Sequence, residues 1–179
     1  MRTIKTMLVT EAVFSDDNSK RYLLRKVWDE TKPKLAVIML TPSEASSIEL
    51  DNSTQLVLNN AVRLGFGSVE ILNLFSKVND FSLKKAEDND DENTKVIVKS
   101  AKNVDTIVYA AGVGKSKNKI FQKRQKTVLE SLKGFEKKLH CLCAENGNAR
   151  FQHPLSPAVR IWHLSPFKID EIIDDSTTT

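Results

Sequence analysis

Four short apolar-rich runs, Leu35–Leu40, Ser68–Phe75, Asp105–Ala111 and Lys138–Ala144, constrain this chain most. The first, LAVIML, is unbroken, and a turn signal, Thr41-Pro42-Ser43-Glu44, follows it. A short all-apolar run bounded by a turn reads as a strand buried on both faces, as in a parallel sheet. Helical periodicity fills the segments between the runs. A helix over Thr54–Leu64 is expected to be capped by Asp51 or Ser53, with Leu58, Ala61, Val62 and Gly65 on one face. A second starts at Asn93 or Thr94 and turns Ile97, Ala101 and Val104 inward. A third, Asn118–Leu132, buries Phe121, Val128, Leu129 and Leu132 and carries Lys117, Lys119, Lys123 and Lys126 outward.

This β-α-β-α-β-α-β order predicts an α/β fold: a three-layer α/β/α sandwich around a mainly parallel four-stranded sheet. Ahead of it, Met7–Phe14 and Tyr22–Trp28 flank the turn-rich Ser15–Ser19 and read as an N-terminal β-hairpin. After it, Val159–Leu164 reads as a short strand and Phe167–Ile173 as a helical turn. Ser76–Asn93 is a long connection with weak periodicity, shortened by a helical turn near Leu83–Glu87. The 179 residues suit a single domain over 1–175 with a flexible tail over 176–179.

Hydrophobic residues make up 40% of the chain and charged residues 28%, as in globular proteins, so the class is set by pattern rather than composition. No apolar run approaches the roughly 20 residues of a membrane span. The first residues lack a secretory h-region, and a cytoplasmic location is expected. Cys141 and Cys143 alternate on one strand and read as buried thiols. Neither they nor the three histidines have a metal-ligand spacing, so no metal or cofactor is expected. The net charge of +4 permits a polyanionic partner. Basic residues concentrate in Lys115–Lys138, acidic ones in Glu87–Glu92 and Asp170–Asp175, and such runs are ordinarily solvated faces.

Right-handed crossovers bring the carboxyl ends of all four strands to one edge, where open α/β sheets bind ligands. Thr41, Ser43, Glu44, Asn73, Ser76, Lys115 and His153 fall in those loops. An asparagine there can pair with an amide or base edge through two hydrogen bonds, and a histidine can stabilise developing negative charge. Gly114-Lys115-Ser116 lies between strand and helix like a phosphate-binding loop. Tyr109 stands where that motif needs its first glycine.

Several pieces carry a resemblance: RYLLRKVW at Arg21–Trp28, IMLTPSEA at Ile38–Ala45, Asp51 with Thr54, Ala61–Gly65, Asn73–Phe75, Asp88 with Asn93, Ala110–Gly112 and His153–Leu155. In this order they resemble the bacterial and phage domain-of-unknown-function family 1643, over Arg21 to about Leu155. The family pattern has Asn where Thr41 stands and Asp where Ser46 stands. A looser resemblance is to uracil-DNA glycosylases, through LTPSEA, EILNLF, VYAAGVGKSK and HPLSP. It implies that Asn73 reads the base and His153 steadies the departing base. Thr41, Pro42, Ser43 and Glu44 then line the water-activating loop, whose usual acid is absent, with Glu44 the nearest. Gly112 and Lys115 fall in the third loop.

A nucleobase, nucleotide or DNA is thus the expected partner, and cleavage of an N-glycosidic bond the expected chemistry. Thr41, Glu44 and His153 are the catalytic candidates; Pro42, Ser43, Asn73, Gly112 and Lys115 are the binding candidates. Two alternatives stand: a catalytically inactive binding or regulatory module of the same fold, and a nucleotide phosphate-binding enzyme using Gly114-Lys115-Ser116.

Overall fold

The computed structural model describes residues 1–43, 48–84, 86 and 90–173. Its strands are β1 (Val9–Phe14), β2 (Arg21–Val27), β3 (Lys34–Met39), β4 (Ser68–Asn73), β5 (Thr106–Tyr109), β6 (Leu139–Cys143) and β7 (His163–Pro166). Its α-helices are α1 (Asn52–Arg63), α2 (Asp91–Asn103), α3 (Lys119–Ser131) and α4 (Asp170–Ile173). The expected tail over 176–179 lies outside the described residues.

All seven strands form one mixed sheet in the order β1-β2-β4-β3-β5-β6-β7. The four expected parallel strands are its centre, with Met39 opposite Asn73 and Ile38 opposite Tyr109. The sheet is larger than the four strands the apolar runs announce. The N-terminal hairpin joins it, because β2 pairs antiparallel with β4 from Leu24–Ile71 to Val27–Ser68. At the other edge β7 pairs antiparallel with β6. Both additions occupy ladder groups that β4 and β6 would otherwise leave open. The last strand is His163–Pro166 rather than Val159–Leu164; Pro157–Val159 forms a 3-10 turn instead.

Side-chain alternation divides the core between the two faces of the sheet. Leu35, Val37, Val69, Ile71 and Val108 pack with Val57 and Ala61 of α1 and with Trp162. Ala36, Ile38, Leu72, Leu74, Ile107 and Tyr109 pack with α2 and α3. Each fully buried aliphatic side chain contributes about 1.5–3 kcal/mol, so these layers supply most of the drive to fold. Helix α1 is rotated from its expected face: Thr54, Val57, Asn60 and Ala61 are buried, whereas Val62 is exposed. The α2 and α3 stripes lie inward as expected.

The ends follow from capping. Asp51 accepts from the Thr54 N–H at 2.6 Å and starts α1, taking the role that Ser53 could also have filled. Asp90 does the same for α2 through the Asn93 N–H, so part of the acidic run is buried rather than solvated. The helical turn expected near Leu83–Glu87 is not formed at its described residues: Leu83 has a φ of 59°, and Lys84 and Ala86 are not helical, while 85 and 87 lie outside the described residues. Gly67 precedes β4 where a Cβ would meet the Asp29 carbonyl oxygen at 1.8 Å. Only glycine allows the β2 exit to lie that close.

Candidate functional site

The chain passes from β3 to β4 on one side and then returns to β5 on the other, making a switch point between the carboxyl ends of β3 and β5. Four loops converge near it. Backbone bonds from Leu74 to Met39 and from Phe75 to Leu40 carry the pairing past the strand ends. The Asn79 N–H then donates to the Pro42 carbonyl at 3.0 Å. Gly112, with φ 79°, lies against His153 so closely that a Cβ would stand 3.0 Å from the His153 Cβ. The loops after β3, β4, β5 and β6 therefore share one edge.

At that edge Ser43 donates from Oγ to Asp51 Oδ2, tying the loop after β3 to the start of α1. Arg21, almost wholly buried, reaches the Ser43 carbonyl at 3.5 Å, and its Nε has no partner among the described residues. Burial pushes the Asp51 carboxyl up. The hydrogen bonds from Ser43 and Thr54, with the Arg21 charge, outweigh that and hold it below the usual carboxylate range. Asp51 is thus a fixed negative charge near neutral pH.

His153 has the opposite balance. Burial pushes its imidazole down, and the Asp51 charge opposes this only in part. The Leu155 N–H donates to His153 Nδ1 at 3.2 Å, so the neutral ring carries its proton on Nε2. A neutral imidazole whose Nε2–H has no partner among the described residues can donate to an oxygen that is gaining negative charge.

Asn73 ends β4 and is almost wholly buried. By alternation with Val69 and Ile71 its side chain lies on the α1 face, the face where Asp51 sits. Its Nδ2 has no partner among the described residues. An unpaired buried amide costs about 1–3 kcal/mol, so retention of one at a strand end points to a ligand that completes it. The backbone around it is firmly held. Asn93 Nδ2 donates to the carbonyls of Asn73 (2.9 Å) and Leu74 (3.2 Å). Arg124, fully buried on α3, donates from Nε to the Leu74 carbonyl at 2.7 Å and from Nη1 to Thr94.

Of the residues singled out from sequence, Thr41, Pro42, Ser43, Asn73, Gly112 and His153 belong to this edge. Glu44 lies outside the described residues. Lys115 is half-buried in the turn before α3, and its backbone carbonyl accepts from Asn118. Asn118 caps α3 with its own side chain, engaging the Ile120 and Phe121 N–H groups. Those two amides are therefore already occupied and do not face a phosphate on Lys115. Sequence reasoning missed Arg21 and Arg124. The only available signal was an arginine inside an apolar strand or stripe, which ordinarily reads as a surface residue. Asp51 was read as a cap only; its charge at the site comes from the fold. Among the described residues, no three His, Cys, Asp or Glu side chains come together as metal ligands, and no helix is long and apolar enough to cross a membrane.

Residues 21–155 match the model of a family described as a protein of unknown function (DUF1643). No curated protein and no solved structure matches the chain.

Proposed function

The chain belongs to the DUF1643 family, and from that premise we propose that it binds a nucleobase within a nucleotide or nucleic acid at the carboxyl edge of its parallel strands, with a uracil-DNA-glycosylase-like site. The observation that carries this reading is the pairing of two donors at one edge. Asn73 offers a buried, unpartnered amide, and His153 offers an Nε2–H on a neutral ring. Base carbonyls are acceptors suited to both.

The chemistry that follows is N-glycosidic cleavage. The bond between C1′ and the base nitrogen breaks, and its electron pair moves onto the base. His153 Nε2–H stabilises the charge that develops on the base oxygen, and Asn73 holds the base edge. Water supplies its hydroxyl to C1′ and its proton to the departing base. The Asp51 carboxylate offsets positive charge on the sugar. In duplex DNA the nucleotide must first leave the stack. Exposed lysines of α3 provide for contact with phosphate.

One observation favours the alternative of a binding module without catalysis. Both Asp51 oxygens already accept hydrogen bonds, from Ser43 and from the Thr54 N–H.

Incubation with oligonucleotides carrying uracil or modified bases tests the reading. Base release that is lost in Asn73→Ala and His153→Ala establishes the enzyme. Binding without release, restored to release by Thr41→Asp, establishes the inactive module. Absence of both release and salt-dependent binding to single- or double-stranded DNA removes the nucleic-acid reading.

A further inference from the structure

A cavity lies behind this edge, on the opposite face of the sheet, the face of Tyr109 and Phe121. It has a volume of about 600 Å³ and is enclosed by the end of β5, the 112–119 loop, the first turns of α3, Phe151 and α4. We infer that this cavity is a second binding site, built for a small planar anion of the size of a nucleoside monophosphate. It uses different residues from the edge proposed above; only Gly112 is common to both.

Its volume falls in the range of small-molecule pockets, and its walls sort into three parts. The inner wall is aromatic. Tyr109 and Phe121 are buried, and Phe151 packs edge-on to Phe167 at 5.2 Å between centroids. Phe151 has a φ of 59°. A bulky side chain in the left-handed region costs about 1–3 kcal/mol, and such strain persists where the surrounding structure imposes it. Here it sets the Phe151 ring in the cavity wall, where a planar ring can stack.

The floor is polar. Gln125 donates from Nε2 to the Tyr109 Oη at 2.7 Å. That bond leaves the Tyr109 proton and the Gln125 Oε1 without a partner among the described residues. A donor beside an acceptor matches the edge of a nucleobase, where carbonyl and N–H groups alternate. Burial pushes the Tyr109 phenol well up, so it remains a donor at any physiological pH.

The mouth is basic. Lys117 and Lys119 line the cavity and are exposed, and neither has an ion pair among the described residues. The acid of the lining, Glu171, already accepts from Arg150 at 2.7 Å and from the Lys168 N–H at 2.9 Å. The uncompensated charge at the mouth is therefore positive, which selects an anionic group on the ligand. Lys115 does not line the cavity, so this site differs from a phosphate loop at Gly114-Lys115-Ser116.

Isothermal titration of the full chain with uridine and adenosine monophosphates tests this, with uridine, adenosine and inorganic phosphate as comparison probes. A monophosphate is expected to bind at least roughly tenfold more tightly than its nucleoside or phosphate alone. The Lys117→Ala/Lys119→Ala double variant, altered only at exposed positions, should lose that advantage. Gln122→Trp, at a half-buried lining position, should abolish binding with an unchanged urea midpoint. Asn73→Ala, which removes the base-reading amide of the strand-end edge on the other face, should leave a monophosphate-binding event that the double lysine change then abolishes. No monophosphate binding at millimolar concentration overturns the inference. So does binding that survives the double lysine variant in the Asn73→Ala background, and so does binding lost altogether in Asn73→Ala, which would put the ligand at the strand-end edge alone.

Discussion

Gly112 lies directly beneath His153: a Cβ on the glycine would stand 3.0 Å from the His153 Cβ and 3.5 Å from its backbone nitrogen. The φ of 79° at Gly112 adds a second constraint, because L side chains rarely adopt it. Both act on the residue whose Nε2–H defines the candidate site. Gly112→Ala should destabilise by roughly 1–2 kcal/mol, through left-handed strain and displacement of the histidine. Urea unfolding measures the cost. The imidazole resonances of His153 should shift even under conditions where the variant is fully folded.

Asn60 fixes the segment that follows the His153 loop. From α1 its Nδ2 donates to the Leu56 and Arg160 carbonyls, and its Oδ1 accepts from the Trp162 N–H at 2.9 Å. Arg63 adds a bond to the Trp162 carbonyl at 2.6 Å. Asn60→Ala leaves the buried Trp162 N–H unpaired and frees the Arg160 carbonyl, which is at the surface, a cost of about 1–3 kcal/mol. Asn60→Asp keeps the acceptor, with the Arg63 guanidinium at 3.3 Å from it to meet the charge, and loses the donor, so its loss should be smaller. Thermal unfolding of the two variants orders them, and equal stability of Asn60→Ala and the parent would contradict the bridge.

The layered centre of this fold is legible because each buried strand is a short apolar run and each helix carries a stripe. The edges are not, for a physical reason. β2 mixes Arg21, Arg25 and Lys26 with leucines, since Arg25 pairs with Glu11 and Glu70 while Arg21 and Lys26 are buried. Nothing local in the sequence reveals such partners. β7 is only His163–Pro166, too short for alternation to register. At the site, Asn73 and His153 could be named because polar residues in strand-end loops stand out, and Gly112 through the resemblance of the third loop. Arg21 could not, because its role depends on Ser43 and Asp51, residues brought to it only by the fold. The cavity behind β5 was equally hidden: Phe151 and Gln125 become neighbours of Tyr109 through packing, not through any spacing.

Arg124 joins three elements. It ties α3 to the exit of β4 through Leu74 and to α2 through Thr94, within the field of Asp90 and Asp91. Burial lowers its guanidinium, and the two acids oppose that shift. Arg124→Ala removes a buried charge together with its hydrogen bonds and should cost about 3–5 kcal/mol. Arg124→Met keeps the volume but takes one donor from the Leu74 carbonyl and one from the Thr94 hydroxyl, which keep their bonds to Asn93 and to the Asp90 carbonyl, so it should recover part of that loss. Arg124→Lys retains charge without the planar fork and should fall between the parent and alanine. A urea midpoint for Arg124→Ala indistinguishable from the parent would refute this account of the β4 exit.

Acid sensitivity should arise in two steps, with His153 first. Its folded imidazole is harder to protonate than the ordinary one at about 6.5, so below that value the unfolded chain binds more protons. Stability therefore falls as pH drops from about 6.5 towards the lower folded value, and this group contributes nothing above that window. Asp51 acts later and with the opposite origin. Its folded carboxyl lies below the ordinary value of about 3.9, so its stabilisation is complete above that and is lost as pH falls through the folded value. His153→Gln should flatten the first step and leave the second. Asp51→Asn should remove the second while keeping the cap, since asparagine caps helices nearly as well as aspartate, but should also lower stability near neutral pH, because buried Arg21 loses its opposing charge. It also removes the charge that supports imidazolium, so the His153 titration should move further down in proton NMR. An unchanged His153 titration would show that Asp51 and His153 do not sense one another, and the electrostatic unity of the edge would fail with it.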